Sequence, residues 1–118
     1  MEYYEISFGK IIILRNDLAE VIVNEGVEID TVMVTEFHQC LLTHFANSFS
    51  LLITKVNSYS TKFDAMVQCG TLAQLEKMAV FAPSRKARLG ADLALNVPRP
   101  VELDIQIFTD REEALAWL

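Results

Sequence analysis

The alternation of apolar and polar residues predicts that the chain opens with three short strands. They cover residues 3–8, 11–15 and 19–24, and the polar pairs Gly9-Lys10 and Asn16-Asp17 separate them. Because connections this short join antiparallel strands, we expect the three segments to form an antiparallel meander.

After Gly26 the apolar residues recur at helical spacing, and Asp30 can cap a helix that begins there. The pattern predicts a first helix over residues 31–45. Its buried side is predicted to contain Met33, Phe37, Cys40, Leu41, His44 and Phe45.

A mostly apolar segment over residues 49–56 is typical of a strand that is buried on both faces. The polar segment Asn57-Ser58-Tyr59-Ser60 follows it, and Thr61 with Asp64 matches a capping box for a second helix. Gly70 is expected to end or bend this helix, with residues 72–75 adding a further turn.

The pattern then predicts a strand over residues 78–82, a helix capped by Ser84 that reaches about residue 95, and a strand over residues 101–108 preceded by Pro98 and Pro100. In the final helix, Thr109 is the predicted cap and Glu112 the residue that closes a capping box. Because Trp117 in its last turn can anchor the terminus to a core, we expect the chain to be complete.

Alternating strands and helices after the meander favour parallel strands joined by crossover helices. We therefore expect one α/β domain over residues 1–118, with a mixed β-sheet and four helices. The strands of the opening meander should be antiparallel and the later strands parallel.

The charge and hydrophobicity of the chain disfavour two classes of function, nucleic-acid binding and integral membrane association. Sixteen acidic residues against ten basic ones give a net charge of −6, which disfavours binding to nucleic acid. No segment approaches the roughly 20 apolar residues of a membrane span, so we expect no integral membrane association. The N-terminus lacks the pattern of a signal peptide, which indicates a cytoplasmic protein whose Cys40 and Cys69 are reduced and buried.

Three segments carry a resemblance to a known family: Asn24-Glu25-Gly26-Val27, Val56-Asn57-Ser58-Tyr59-Ser60, and the C-terminal residues 107–118. With the order of elements, they make the chain resemble the STAS fold, specifically the small SpoIIAA-like bacterial proteins, which also resemble the lipid-binding domain of phosphatidylinositol-transfer proteins. The resemblance implies a non-enzymatic regulator similar to anti-sigma-factor antagonists, which are switched by phosphorylation of a serine after a central strand. Here Asn57 replaces the aspartate that usually precedes that serine, and no glycine follows.

Ser58, Ser60 and Thr61 are the candidate phosphoacceptors or anion-binding residues, because the predicted strand ends and the next helix begins at this turn. The alternative is that they only cap the helix and complete the turn. A second candidate is the basic cluster of Arg85, Lys86 and Arg88, which could bind an anion or an acidic partner. Its alternative is a solvated surface that balances the acidic residues.

We predict neither a metal site nor a cofactor. Cys40 and His44 lie four residues apart, but His38 projects elsewhere and no carboxylate completes a set of ligands. Since no catalytic motif is recognisable, we expect a protein that is not an enzyme.

The sequence therefore favours a regulatory module that binds an unidentified protein partner. The alternative is a carrier of a lipid or another small hydrophobic ligand, held between the sheet and the helices. A small anionic ligand is a separate possibility. A homodimer formed through an edge strand at residues 3–8 is a further possibility, since exposed edges are templates for pairing.

Overall fold

A computed structural model describes residues 2–100 and 102–118. The described strands are β1 (Tyr3–Ile6), β2 (Gly9–Arg15), β3 (Leu18–Val23), β4 (Glu28–Ile29), β5 (Phe49–Thr54), β6 (Ser60–Thr61), β7 (Leu75–Phe81) and β8 (Asp104–Phe108). The described helices are α1 (Thr31–His44), α2 (Phe63–Gln68), α3 (Arg85–Leu95) and α4 (Arg111–Trp117).

Six strands form the main sheet in the order β1-β2-β3-β5-β7-β8. β1, β2 and β3 are antiparallel neighbours, whereas β3, β5, β7 and β8 run parallel. The predicted mixed α/β fold with four helices is therefore confirmed.

The connections determine which side of the sheet each helix covers. The connections from β3 to β5, from β5 to β7 and from β7 to β8 each join neighbouring strands and proceed in the same direction across the sheet. Because such crossovers are right-handed, their helices lie on the same face of the sheet. α1, α2 and α3 accordingly pack on the face that carries Val21, Leu51 and Val80, which we call the three-helix face. On the opposite face, α4 buries Ala114 against Leu52 and Ala79.

Trp117 in α4 packs against Phe108 at the end of β8, with 5.7 Å between the ring centroids. The cap of this helix differs from the prediction. Asp110 is the N-cap, and its carboxylate accepts a hydrogen bond from the Glu112 N–H at 2.9 Å. The predicted capping box of Thr109 and Glu112 is wrong, because the carboxylate next along the chain caps the helix instead.

The predicted start of the second helix is also wrong. Ser60 and Thr61 form β6, which pairs in parallel with β4 in a separate two-stranded sheet. The Ser60 N–H donates to the Val27 carbonyl at 3.0 Å, and the Lys62 N–H donates to the Ile29 carbonyl at 2.9 Å. α2 therefore begins only at Phe63, and the capping box of Thr61 and Asp64 does not form.

Several element bounds differ from the predictions as well. Gly70, which follows the end of α2, has a φ of 81°. Leu75 is the first residue of β7 and not the last residue of the helical turn predicted over residues 72–75. The last strand begins at Asp104, and Val101, its predicted first residue, lies outside the described residues. In α1, Val34 and His38 are buried, while the predicted core residues Met33, Cys40 and His44 are half-buried.

None of the helices in the described ranges is long and apolar enough to cross a bilayer.

Candidate ligand-binding site

A cavity of about 410 Å³ lies between the three-helix face of the sheet and helices α1, α2 and α3. This volume falls within the range of roughly 300–1,000 Å³ that is usual for small-molecule sites. Its wall is mostly apolar, with side chains that include Val21, Ile53, Val80 and Ile105 from the sheet, Val34 and Phe37 from α1, Met66 from α2, and Ala91, Ala94 and Leu95 from α3. We call this space the apolar cavity.

Short elements and small residues border this space. α2 has only six residues, between β6 and Gly70. Next to the cavity, α3 presents the small residues Gly90, Ala91 and Ala94, which lack long side chains that could reach the sheet. The apolar surface of the sheet is therefore covered by helices without being fully packed by them.

Lys55, just after β5, is a polar group in the wall of this cavity. Its backbone N–H donates to the Phe81 carbonyl at 2.8 Å, which fixes the position of its Cα beside β7. Its Nζ lies 3.7 Å from the centre of the Tyr59 ring, a cation–π geometry. Burial lowers the pKa of Lys55, and within the described residues no carboxylate forms an ion pair with it.

Gly90 makes room for the Lys55 side chain. A Cβ atom at position 90 would lie 3.2 Å from Lys55 Cε and 3.6 Å from its Nζ. A Cβ at this point of α3 would therefore require the Lys55 side chain to shift by a few tenths of an ångström.

Tyr59, Cys69 and Arg99 are further polar groups in the wall of the apolar cavity. Burial strongly raises the pKa of the Tyr59 phenol and also raises the pKa of the Cys69 thiol, so both groups are protonated at neutral pH. Arg99 donates to the Cys69 and Val97 carbonyls, each at 3.4 Å. None of these groups is an activated nucleophile.

A second, more polar cavity of about 340 Å³ adjoins the first. We call it the polar cavity, and its lining includes Glu25, Ser58, Ser84 and Lys86. Lys86 Nζ donates to Ser58 Oγ at 3.0 Å, and the Ser58 N–H donates to the Glu25 carboxylate at 2.8 Å. Lys55, Tyr59 and Gly90 line both cavities, so these residues form the boundary between them.

The residues predicted from sequence fall into three groups. Ser58 and Lys86, from the two separate candidate sites, meet in the polar cavity. Ser60 and Thr61 line the apolar cavity from β6 instead of capping a helix. Arg85 is exposed, Arg88 is half-buried, and neither lines either cavity.

The histidines and cysteines of α1 do not converge on one point. His38 Nε2 accepts the Gly70 N–H at 3.2 Å, and burial lowers the pKa of this histidine. His44 Nδ1 instead contacts the Tyr4 hydroxyl at 3.0 Å. Cys40 and Cys69 are free thiols, and both residues are half-buried rather than fully buried as predicted.

Sequence reasoning missed Lys55, Tyr59 and Arg99. A signal for Lys55 was present, since it is the one charged residue in the mostly apolar segment 49–56. Arg99 stands between Pro98 and Pro100, which restrict the backbone on both sides of it. Nothing in the local pattern indicated that these side chains face one cavity.

Comparison with protein-family models, with curated proteins and with solved structures finds no match to this chain.

Proposed function

We propose that this protein binds a small, largely apolar molecule in the apolar cavity and acts as a carrier or sensor of that molecule, not as an enzyme. The observation that carries the proposal is a space of about 410 Å³ lined mainly by apolar side chains. Transfer of an apolar ligand from water into such a space is favourable by about 25 cal/mol for each Å² of apolar surface removed from water. The sequence resemblance to lipid-transfer domains supports the same class of ligand.

A direct test uses the uncharged fluorescent probe N-phenyl-1-naphthylamine, together with native mass spectrometry of gently purified protein. We expect the probe to bind with enhanced fluorescence and a co-purifying small molecule to add mass to the protein. The substitution Ala94→Leu should weaken probe binding at least tenfold, since the added atoms occupy the space that the probe needs. Ala116→Leu is the matched control, because Ala116 is exposed on α4.

Equal probe affinity in the wild type and in Ala94→Leu would contradict binding in this cavity. Failure of the probe and of native mass spectrometry to detect any bound molecule would contradict the proposed function itself.

A regulatory interaction with a protein partner is the second candidate, and the outer surface of α3 supports it. Leu89 is 59% exposed and lies beside the basic residues Arg85 and Arg88. Leu93, one helical turn further along, is 68% exposed but also lines the apolar cavity. Ser58 is also exposed, with its hydroxyl beside Lys86. Such a surface fits a partner that presents apolar and acidic groups.

The test of this second candidate is affinity purification from the native host. A specific partner should be retained by the wild type and by Ser48→Asp, an exposed control, but lost in Leu89→Lys, because Leu89 is exposed and lines neither cavity. Phosphate found on Ser58 or Ser60 by mass spectrometry would support the predicted switch. Absence of any partner in the wild-type sample would count against this candidate.

A further inference from the structure

Lys55 places a positive charge at the boundary between the apolar and polar cavities. Lys55 is half-buried, and an ammonium group partly withdrawn from water is unfavourable unless another group compensates its charge. The Tyr59 ring compensates part of it, with Nζ 3.7 Å from the ring centre. No described carboxylate is within ion-pair distance of Lys55, so its charge is available to an anion.

We infer, building on the proposed function, that the ligand is amphipathic: Lys55 binds its single anionic head group, and its apolar tail occupies the apolar cavity. The geometry supports one continuous ligand, because Lys55, Tyr59 and Gly90 line both cavities. A head group beside Nζ would be adjacent to the tail on one side and to polar groups on the other. The shared chemistry of such a head is a carboxylate or a phosphate monoester.

The polar cavity offers further groups suited to an anionic head. Lys86 adds a second positive charge, and the hydroxyls of Ser58 and Ser84 line the same space. Glu25 contributes a negative charge, but its carboxylate accepts the Ser58 N–H at 2.8 Å. Two lysines against one carboxylate leave this cavity with a net positive lining.

Arg99 is the other cation in the wall of the apolar cavity, and it is less suited to this role. Its guanidinium group already donates to the backbone carbonyls of Cys69 and Val97. Lys55 has no such acceptor among the described residues and also faces the polar cavity, so the head group is assigned to Lys55.

The experiment measures displacement of N-phenyl-1-naphthylamine by decanoic acid, decyl phosphate, decanol and decylamine, which all contain ten carbon atoms in one unbranched chain and carry different head groups. We expect at least one of the two anionic compounds to bind tenfold or more tightly than decanol, equal to about 1.4 kcal/mol. Decylamine should bind most weakly. The difference between decanoic acid and decyl phosphate identifies the preferred anion.

In Lys55→Met, the preferred anionic compound should lose tenfold or more in affinity, while decanol and the probe keep theirs. Lys10→Met is the matched control, because Lys10 is exposed on the face of the sheet opposite the cavity and its removal changes the net charge equally. If Lys55→Met does not fold, the order of the four head groups on the wild-type protein still tests the inference.

The outcomes separate this inference from the proposed function. Binding of the probe with equal affinities for decanol and both anions overturns the anionic head group and leaves the apolar site in place. An equal loss in Lys10→Met and Lys55→Met overturns the assignment to Lys55. Failure of the probe and all four compounds to bind refutes the proposed function, and the inference with it.

Discussion

Replacing Gly90 by alanine should increase the free energy of unfolding and at the same time weaken the binding of an anionic ligand by Lys55. Gly90 lies in the interior of α3, where glycine is unfavourable relative to alanine by about 1 kcal/mol because it loses more backbone entropy on folding. A helix under selection for stability alone would carry alanine here. The structure offers a reason for the glycine, since the Lys55 side chain lies where a Cβ at position 90 would contact it.

The expected size of the effect follows from two opposing contributions. The alanine substitution supplies the gain in helix propensity, about 1 kcal/mol. The new Cβ would lie 3.2 Å from Lys55 Cε, so the lysine must move away by roughly 0.5 Å to reach ordinary van der Waals separation. That movement weakens the cation–π contact with Tyr59, which is worth about 0.5–2 kcal/mol when intact. We expect a net stabilisation of about 0.5 kcal/mol.

Urea unfolding and ligand displacement together test this expectation. The unfolding midpoint of Gly90→Ala should rise by roughly 0.3 M urea. Affinity for the preferred anionic decyl compound should fall about threefold to tenfold, about 0.6–1.4 kcal/mol, and affinity for decanol should change little. In a Lys55→Ala background the full gain of about 1 kcal/mol should appear, because the opposing side chain is gone.

Two results would refute the reasoning. A stabilised Gly90→Ala protein with unchanged affinity for the anion would show that the position of Lys55 does not matter for binding. A loss of more than about 1 kcal/mol would show that α3 and Lys55 cannot adjust, contrary to the flexibility expected of a lysine side chain.

Two further predictions concern groups outside the cavities. Arg111→Met should reduce the free energy of unfolding in urea by about 2–3 kcal/mol, somewhat below the 3–5 kcal/mol typical of breaking a fully buried pair. The reason is that Arg111 Nη2 lies 2.7 Å from Glu20, which is only 5% exposed, whereas the Arg111 side chain is 38% exposed. The control Arg15→Met breaks an exposed ion pair and should change the free energy of unfolding by less than about 1 kcal/mol. Equal effects of the two substitutions would contradict the argument. Burial lowers the pKa of His38, so the unfolded chain takes up a proton at this residue before the folded protein does as the pH falls below about 6.5. The folded protein is therefore destabilised between about pH 7 and pH 5, and His38→Gln should reduce this loss of stability. An unchanged pH profile in the glutamine variant, which keeps an acceptor for the Gly70 N–H, would contradict this.

The mixed sheet could be predicted because its signals are local. Short turns define the antiparallel meander, and the alternation of helices and strands defines the parallel part. The caps Asp30 and Ser84 were also predicted and are confirmed, since their side chains accept the N–H groups of Met33 and Ala87. Each of these features depends on residues close together in the chain.

The error at residues 60–61 arose because distant residues decide the structure there, unlike the misplaced cap of α4, where the adjacent Asp110 replaces Thr109. Ser60 and Thr61 have the chemistry of helix caps, but they pair with Glu28 and Ile29, which lie about thirty residues earlier. No pattern within residues 57–64 shows that this partner strand exists. The same pairing places Ser60 and Thr61 in β6, from which they line the apolar cavity.

The apolar cavity itself could not be predicted, because the side chains that line a cavity have the same composition as those that fill a core. Val80 and Ile105 would be expected on the inner face of the sheet in either case. What could have been noticed is a lysine at the end of an apolar strand. A charge in that position is unfavourable without a partner, and this lysine lies at the boundary of the two cavities.

The arrangement of α3 bears on why the cavity exists. Its inward residues Ala87, Gly90 and Ala91 are small, whereas Leu89 and Leu93 are largely exposed. The opposite arrangement, with leucines inward, would bury more apolar surface and stabilise the fold, because each buried leucine is worth about 1.5–3 kcal/mol. A sequence that leaves this stabilisation unused on a helix beside a cavity of about 410 Å³ is better explained by a ligand that fills the space than by packing alone. Leu89, which lines neither cavity, then remains available for a partner, so ligand binding on the inner side of α3 and protein binding on its outer side are compatible uses of one helix.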